Sequence, residues 1–167
     1  MARFRRFADV VGIFGLMFAL LLIPALAHEH REIADGEFTV TIGFINEPAF
    51  VNQQNGLYLK VEAAHAEEGA TPVVSADGDQ HDAGNGFAGL ETSLQAEVIY
   101  GDQKMALPLT PTDEAGTYES IFFPSAVGDY TFHIFGDING VPVDEIFTSS
   151  PQGFDSVQDT ESFKFPK

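Results

Sequence analysis

The chain has 167 residues, a formal net charge of −17 and no cysteine. Without cysteine it has no disulfides, no thiolate metal site and no thiol nucleophile. A chain this acidic is not expected to bind nucleic acid by neutralising phosphates, and anionic membrane surfaces would repel it. Its length suits one domain, and its 16 phenylalanines can supply a core.

The first 27 residues have the three parts of a secretory signal peptide. A basic start at residues 3–6 is followed by an apolar run that ends in Ala25-Leu26-Ala27, the small-x-small pattern that a signal peptidase needs. The run is at the short end of the roughly 17–25 residues of a membrane-spanning helix, and Pro24 favours a cleavable segment over an uncleaved anchor. We therefore expect cleavage after Ala27 and a periplasmic or secreted protein, which contacts a membrane only through an uncleaved leader.

Alternating apolar and polar residues predict about seven short strands between residues 37 and 148. The expected strands are at 38–44, 57–62, 94–100, 105–109, 117–123, 129–135 and 141–148. Gly101-Asp102 and Asn139-Gly140 are hairpin signals, the second typical of a type I′ turn. Tyr130 is placed to form a tyrosine corner, in which the hydroxyl ties a turn to the backbone. We expect an all-β fold, an immunoglobulin-like antiparallel β-sandwich of about seven strands after a signal-peptide helix.

Two regions fall outside this strand pattern. Residues 64–91 hold Gly, Ala, Asp and Glu with few large apolar side chains, and are expected to form a long loop. Residues 149–167 are expected to form a polar C-terminal tail, extended or disordered. The expected organisation is a signal peptide at 1–27, an N-terminal segment at 28–36, the sandwich at 37–148 and this tail.

The chain end that cleavage would create is the first candidate metal site. His28 would carry a free α-amine, and His30 would be the third residue. An amine, two backbone amides and a third-residue imidazole can bind one square-planar ion, which selects Cu(II) or Ni(II). The alternative is a histidine brace, in which the amine and imidazole of His28 chelate copper and a second histidine completes a T shape. The charges of Glu29 and Glu32 favour a bound cation, and the charge of Arg31 opposes one. The third possibility is that His28 only follows the cleavage site and binds no metal.

The long loop holds the other candidate metal ligands. His65 and His81 both have acidic residues nearby and could supply the second histidine. His133 alternates with core-facing residues, so we expect it to be an exposed strand residue without a special role. The Asp77–Asp82 segment offers carboxylates to Ca²⁺ but lacks the glycine and glutamate of an EF-hand, so a solvated acidic loop is the simpler interpretation.

Sequence motifs of catalysis are missing. There is no G-x-S-x-G, no H-E-x-x-H and no phosphate-binding glycine loop. Carboxylates are so numerous that no pair stands out as acid and base. We therefore expect that the protein is not an enzyme.

Two segments resemble parts of bacterial copper-handling sandwiches. Gly116–Phe123 followed by Gly128–Phe132 resembles the paired late strands of YtkA-like domains. Val74–Gly78 followed by His81 resembles the Asp-Gly-His copper-ligand segment of CopC, with two residues inserted before the histidine and a mid-chain position. With the leader and the amino-terminal histidine, the chain resembles the CopC and YtkA-like kind. The resemblance implies an exported Cu(II)-binding protein that buffers or delivers copper, with His28 as its best-matched ligand.

The alternative function is an envelope module without a metal. Such a module would be structural or would bind a protein partner through one face of the sandwich. It predicts an exposed apolar patch around Phe44, Phe50 or Phe135.

Overall fold

Two antiparallel β-sheets pack face to face in the computed structural model, which describes residues 28–64, 85–149 and 153–166. The strands are β1 (Glu29–Ile33), β2 (Phe38–Phe44), β3 (Asn55–Ala63), β4 (Leu94–Tyr100), β5 (Gln103–Leu107), β6 (Thr110–Pro111), β7 (Thr117–Phe122), β8 (Thr131–Ile138) and β9 (Val141–Thr148). The expected signal peptide at 1–27 and the Asp77–Asp82 segment lie outside the described residues. In the described part of the chain, no helix combines the length and apolar character needed to cross a membrane.

The strand order is that of an immunoglobulin-like sandwich. One sheet runs β1-β2-β3-β7-β6 and the other β5-β4-β8-β9. Strands β2, β3, β7 and β6 therefore correspond to A, B, E and D, while β4, β8 and β9 correspond to C, F and G. This confirms the predicted all-β immunoglobulin-like fold and adds two strands to the predicted set, the edge strands β1 and β6.

The core lies between the sheets because one side-chain row of each predicted strand is apolar. Phe44 is fully buried at its centre, with four other aromatic rings at centroid distances of 5.5–6.1 Å: Phe122, Tyr130, Phe132 and Phe154. Several of these pairs are edge-to-face, the arrangement that the ring quadrupoles favour. The expectation that Phe44 contributes to an exposed patch is therefore wrong.

The predicted tyrosine corner is present before β8. The Tyr130 hydroxyl donates to the Ala126 carbonyl at 3.1 Å and accepts from the Ala126 N–H at 3.2 Å. Burial raises the pKa of Tyr130 above its ordinary value, and the hydrogen bond to Ala126 opposes this effect. The phenol is therefore neutral at physiological pH and ties the turn to the start of the strand.

The turn between β8 and β9 also matches its prediction. Asn139 and Gly140 both have positive φ, 51° and 89°, as a type I′ turn requires. The Asp137 carboxylate accepts a hydrogen bond from the Gly140 N–H at 2.6 Å. The turn sets the register of the β8–β9 hairpin, in which Ile138 lies opposite Val141.

The C-terminal segment packs on the sandwich. Phe154 and Val157 are 0% and 1% exposed. Val157 exchanges two backbone hydrogen bonds with Gly128, at 2.9 and 3.0 Å, and Gln158 forms two more with the loop before β3. The expectation of an extended or disordered tail is therefore wrong for residues 153–158, because two apolar side chains in this polar stretch close one end of the core.

Candidate functional site

The residues expected to precede the sandwich form its outermost strand, β1. Glu29 lies opposite Ile42 and His30 opposite Thr41 on β2. A tight turn at Ala34–Gly36, with φ values of 51°, 55° and 85°, reverses the chain between the two strands. Apolar alternation cannot reveal β1, because an edge strand of this composition buries only its last side chain, Ile33.

Arg31 holds β1 against the second sheet. Its guanidinium donates to Glu29 Oε1 at 2.5 and 3.1 Å and to the Ile146 carbonyl at 2.9 Å, and it lies 3.4 Å from Glu145 Oε2. Its carbon Cζ is 4.1 Å from the ring centroid of the buried Phe147. Charge-assisted hydrogen bonds and cation–π contact together close the gap between β1 and β9. The positive charge is thus paired with carboxylates on the side of β1 that faces the other sheet.

His30 lies on the opposite, outer face of β1. Side chains alternate along a strand, and Ile33 and Arg31 face the core side, so His30 and Glu32 face solvent. The ring nitrogen Nδ1 of His30 is 2.8 Å from Thr41 Oγ1, its cross-strand neighbour. The threonine hydroxyl can accept as well as donate, so His30 can be protonated at Nδ1 and keep its lone pair on Nε2.

His28 lies on the same outer face and is held more firmly. Its Nε2 donates to the Phe44 carbonyl at 3.1 Å, and its ring packs on Tyr58 with 4.8 Å between centroids. Burial lowers the pKa of His28, the hydrogen bond to Phe44 opposes this effect, and the nearby His30 lowers the pKa further. His28 is therefore neutral at pH 7, the form in which imidazole binds a metal.

The hydrogen bond to Phe44 also decides which ring nitrogen of His28 is free. A carbonyl oxygen only accepts, so Nε2 carries the proton and Nδ1 carries the lone pair. Nδ1 is the nitrogen that could form a chelate ring with the α-amine of the same residue. A histidine that donates its other N–H to a backbone carbonyl is the usual arrangement around protein-bound metals.

The four-nitrogen site does not fit β1 as it is folded. In an extended chain, successive N–H groups point to opposite edges of the strand, so the amides of Glu29 and His30 cannot both face one ion. That mode would require these residues to leave β2 and His30 to release Thr41. The brace requires no opening of the strand, because its chelating amine and Nδ1 belong to His28 alone.

The other predicted ligands are not brought into this site by the described structure. His65 and His81 lie outside the described residues. Residues 28–64, 85–149 and 153–166 contain no group of three or more histidines and carboxylates arranged to hold a metal. The sites expected from His65, His81 and the Asp77–Asp82 segment, including the calcium site, stay predictions.

His133 is more enclosed than predicted. Its side chain is 23% exposed on the outer face of the second sheet, with Nε2 at 2.7 Å from Asp144 Oδ1 and Nδ1 at 3.7 Å from Glu97 Oε2. Its ring stacks on Phe135 with 4.6 Å between centroids. Both ring nitrogens therefore face carboxylates, an arrangement that the strand pattern of β8 alone could not reveal.

Comparison with known proteins adds one structural similarity. A scan against protein-family models finds no match, and a search of curated proteins finds none. A solved structure described as the crystal structure of the Lin-41 filamin domain is 19% identical, with a TM-score of 0.37, over 71% of this chain and 90% of that chain. The immunoglobulin-like assignment rests on the strand order, and a TM-score this low adds nothing to it.

Proposed function

We propose that the chain is an exported, non-enzymatic immunoglobulin-like module that binds one Cu(II) ion at the amino terminus created by cleavage after Ala27. One observation carries the proposal. His28 and His30 share the outer face of β1, and each is held through one ring nitrogen, which leaves the other for a metal. Its role would be to buffer or deliver copper outside the cytoplasm, as the resemblance to CopC and YtkA-like domains implies.

The donor set favours Cu(II). The α-amine and Nδ1 of His28, with Nε2 of His30, would be three nitrogen ligands, and imidazole nitrogens suit copper. Thiolates and thioethers select Cu(I), but the chain has no cysteine and Met105 is on the edge strand β5 of the other sheet. The acidic chain would also concentrate cations around the site.

The first experiment measures the exported product. The full chain is expressed with its leader, and the mass of the product shows whether it begins at His28. One equivalent of Cu(II) is then added, and binding is followed by d–d absorption and electron paramagnetic resonance. We expect a nitrogen-ligated Cu(II) signal at a 1:1 ratio. A product that starts elsewhere, or that gives no signal at this ratio, contradicts the proposal.

Variants of the processed chain separate the two copper geometries. His28→Ala keeps a free amine and a third-residue histidine, so it retains the four-nitrogen site and loses only the brace. We expect it to bind Cu(II) at least tenfold more weakly, which is about 1.4 kcal/mol. One extra residue ahead of His28 removes both geometries, and His133→Ala is the control that should leave binding unchanged. Tight binding by the extended chain would show that the amino terminus is not the site.

A second candidate function is a protein-docking module without a metal. Ile121 and Phe123 are 53% and 63% exposed at one end of β7, whereas Phe50 and Phe135 are only partly exposed. A ligand that binds the folded state raises the melting temperature. The docking function therefore predicts no change in melting with one equivalent of Cu(II), while the copper function predicts a rise.

A further inference from the structure

The C-terminal strap, residues 153–158, closes one end of the sandwich. Phe154 inserts between the sheets, with ring centroids 5.0 Å from Phe132 and 5.5 Å from Phe44. The strap is joined to the sandwich by the buried side chains of Phe154 and Val157 and by backbone hydrogen bonds, such as those from the Val157 N–H to the Gly128 carbonyl at 3.0 Å and from the Gln158 N–H to the Ala49 carbonyl at 2.8 Å. A short segment that follows the last strand can undock without unfolding the rest of the domain.

Glu47 lies in the loop onto which the strap docks. Its Oε1 accepts a hydrogen bond from the Phe44 N–H at 3.0 Å. Its Oε2 is buried and has no hydrogen-bond partner within the described ranges. A buried carboxylate oxygen without a partner is costly, and the cost is much smaller when the group is protonated.

Asp155 of the strap adds a like charge to this site. Among the described residues, Asp155 is the charged group that raises the pKa of Glu47, and the hydrogen bond to the Glu47 carboxylate comes from the Phe44 N–H. Burial raises the pKa of Glu47 from its ordinary 4.5 to about 7, the hydrogen bond from Phe44 opposes this effect, and Asp155 raises the pKa further. Bringing the strap and its carboxylate into place therefore favours the protonated form of Glu47.

We propose that Glu47 is a proton-controlled latch for the C-terminal strap: protonated Glu47 allows the strap to dock, and ionised Glu47, repelled by the negative charge of Asp155, loosens it. A raised pKa in the docked state gives stabilisation that is complete below about pH 4.5 and is lost as the pH rises through about 7. Opening of the strap would uncover the Phe154 site between the sheets. The latch does not depend on copper, so the two proposals can fail separately.

Hydrogen exchange of the purified full-length protein tests the latch. The protection factors of the Val157 and Gln158 amides are measured by mass spectrometry from pH 5 to pH 8, after correction for intrinsic exchange. We expect both to fall at least tenfold over this range, since a shift of the Glu47 pKa from 4.5 to about 7 corresponds to roughly seventyfold between pH 5 and pH 8 and the group is only partly buried. Protection of the Phe132 amide in β8 should fall much less.

Two variants test whether Glu47 is the group that causes the pH-dependent fall in protection. Glu47→Gln keeps an acceptor for the Phe44 N–H without the charge, so protection of the strap should become independent of pH. Asp155→Asn removes the like charge that raises the pKa of Glu47 in the docked state, so the fall in protection should be smaller and should end at a lower pH. Constant protection in the unmodified protein, or an unchanged fall in Glu47→Gln, overturns the latch. If Glu47→Gln does not fold, Asp155→Asn alone decides, since an unshifted profile then contradicts the proposal.

Discussion

Replacing Phe154 with alanine tests whether the C-terminal strap is part of the core. The side chain is 0% exposed and contacts the rings of Phe132 and Phe44. Truncating a buried phenylalanine to alanine costs about 3–5 kcal/mol, through lost burial and the cavity left behind. Because the strap can undock as a unit, the loss cannot exceed its docking free energy, and we expect a value near the lower end, about 3 kcal/mol.

The assay is urea unfolding at pH 5, where the proposed latch predicts a docked strap, and unfolding is followed by far-ultraviolet circular dichroism. The matched control is Phe165→Ala, because Phe165 is in the same C-terminal segment but 95% exposed. Substitution there should change the free energy of unfolding by no more than about 0.5 kcal/mol. A loss below about 1 kcal/mol for Phe154→Ala, or equal losses for both variants, would refute the assignment of the strap to the core.

Two further substitutions test the sandwich itself. Tyr130→Phe removes both hydrogen bonds with Ala126 and should lower the free energy of unfolding by about 1–2 kcal/mol in a urea titration, and no loss would show that the tyrosine corner is not stabilising. Gly136→Ala places a Cβ 2.3 Å from the Ser93 carbonyl oxygen at φ 132°, so we expect a loss of more than about 3 kcal/mol by thermal melting. Gly140→Ala, at φ 89° with open space around it, should cost only about 1 kcal/mol, and equal losses at the two glycines would contradict the reasoning.

The local pattern of apolar and polar residues was sufficient to predict most strands of the sandwich. The seven predicted strands are all present, with bounds shifted by up to three residues, because each has an apolar row that must face the other sheet. Asn139-Gly140 identified its turn because few residue pairs accept positive φ at both positions. These features depend on residues that are neighbours in the chain.

The edge strand β1 and the C-terminal strap could be recognised only from the tertiary structure. β1 has no apolar alternation, and its place is set by pairing with β2 and by the contact of Arg31 with the second sheet. The strap is polar in composition, and the burial of Phe154 becomes visible only when Phe44 and Phe132, distant in the chain, surround it. The composition of a segment gives only its average polarity, whereas docking of the strap depends on one or two apolar side chains that pack into the core.

For the candidate metal site, too, the sequence predicted one part and the fold determined the other. The sequence alone identified His28 and His30, since their relation to the expected cleavage after Ala27 is a matter of spacing. Only the fold determined which ring nitrogens are free, because the Phe44 carbonyl, 16 residues from His28, and the Thr41 hydroxyl, 11 residues from His30, occupy the others. Extended pairing with β2 also separates the two amides that a square-planar site would need. Spacing along a chain specifies which donors are present, and hydrogen bonds across a sheet specify where their lone pairs point.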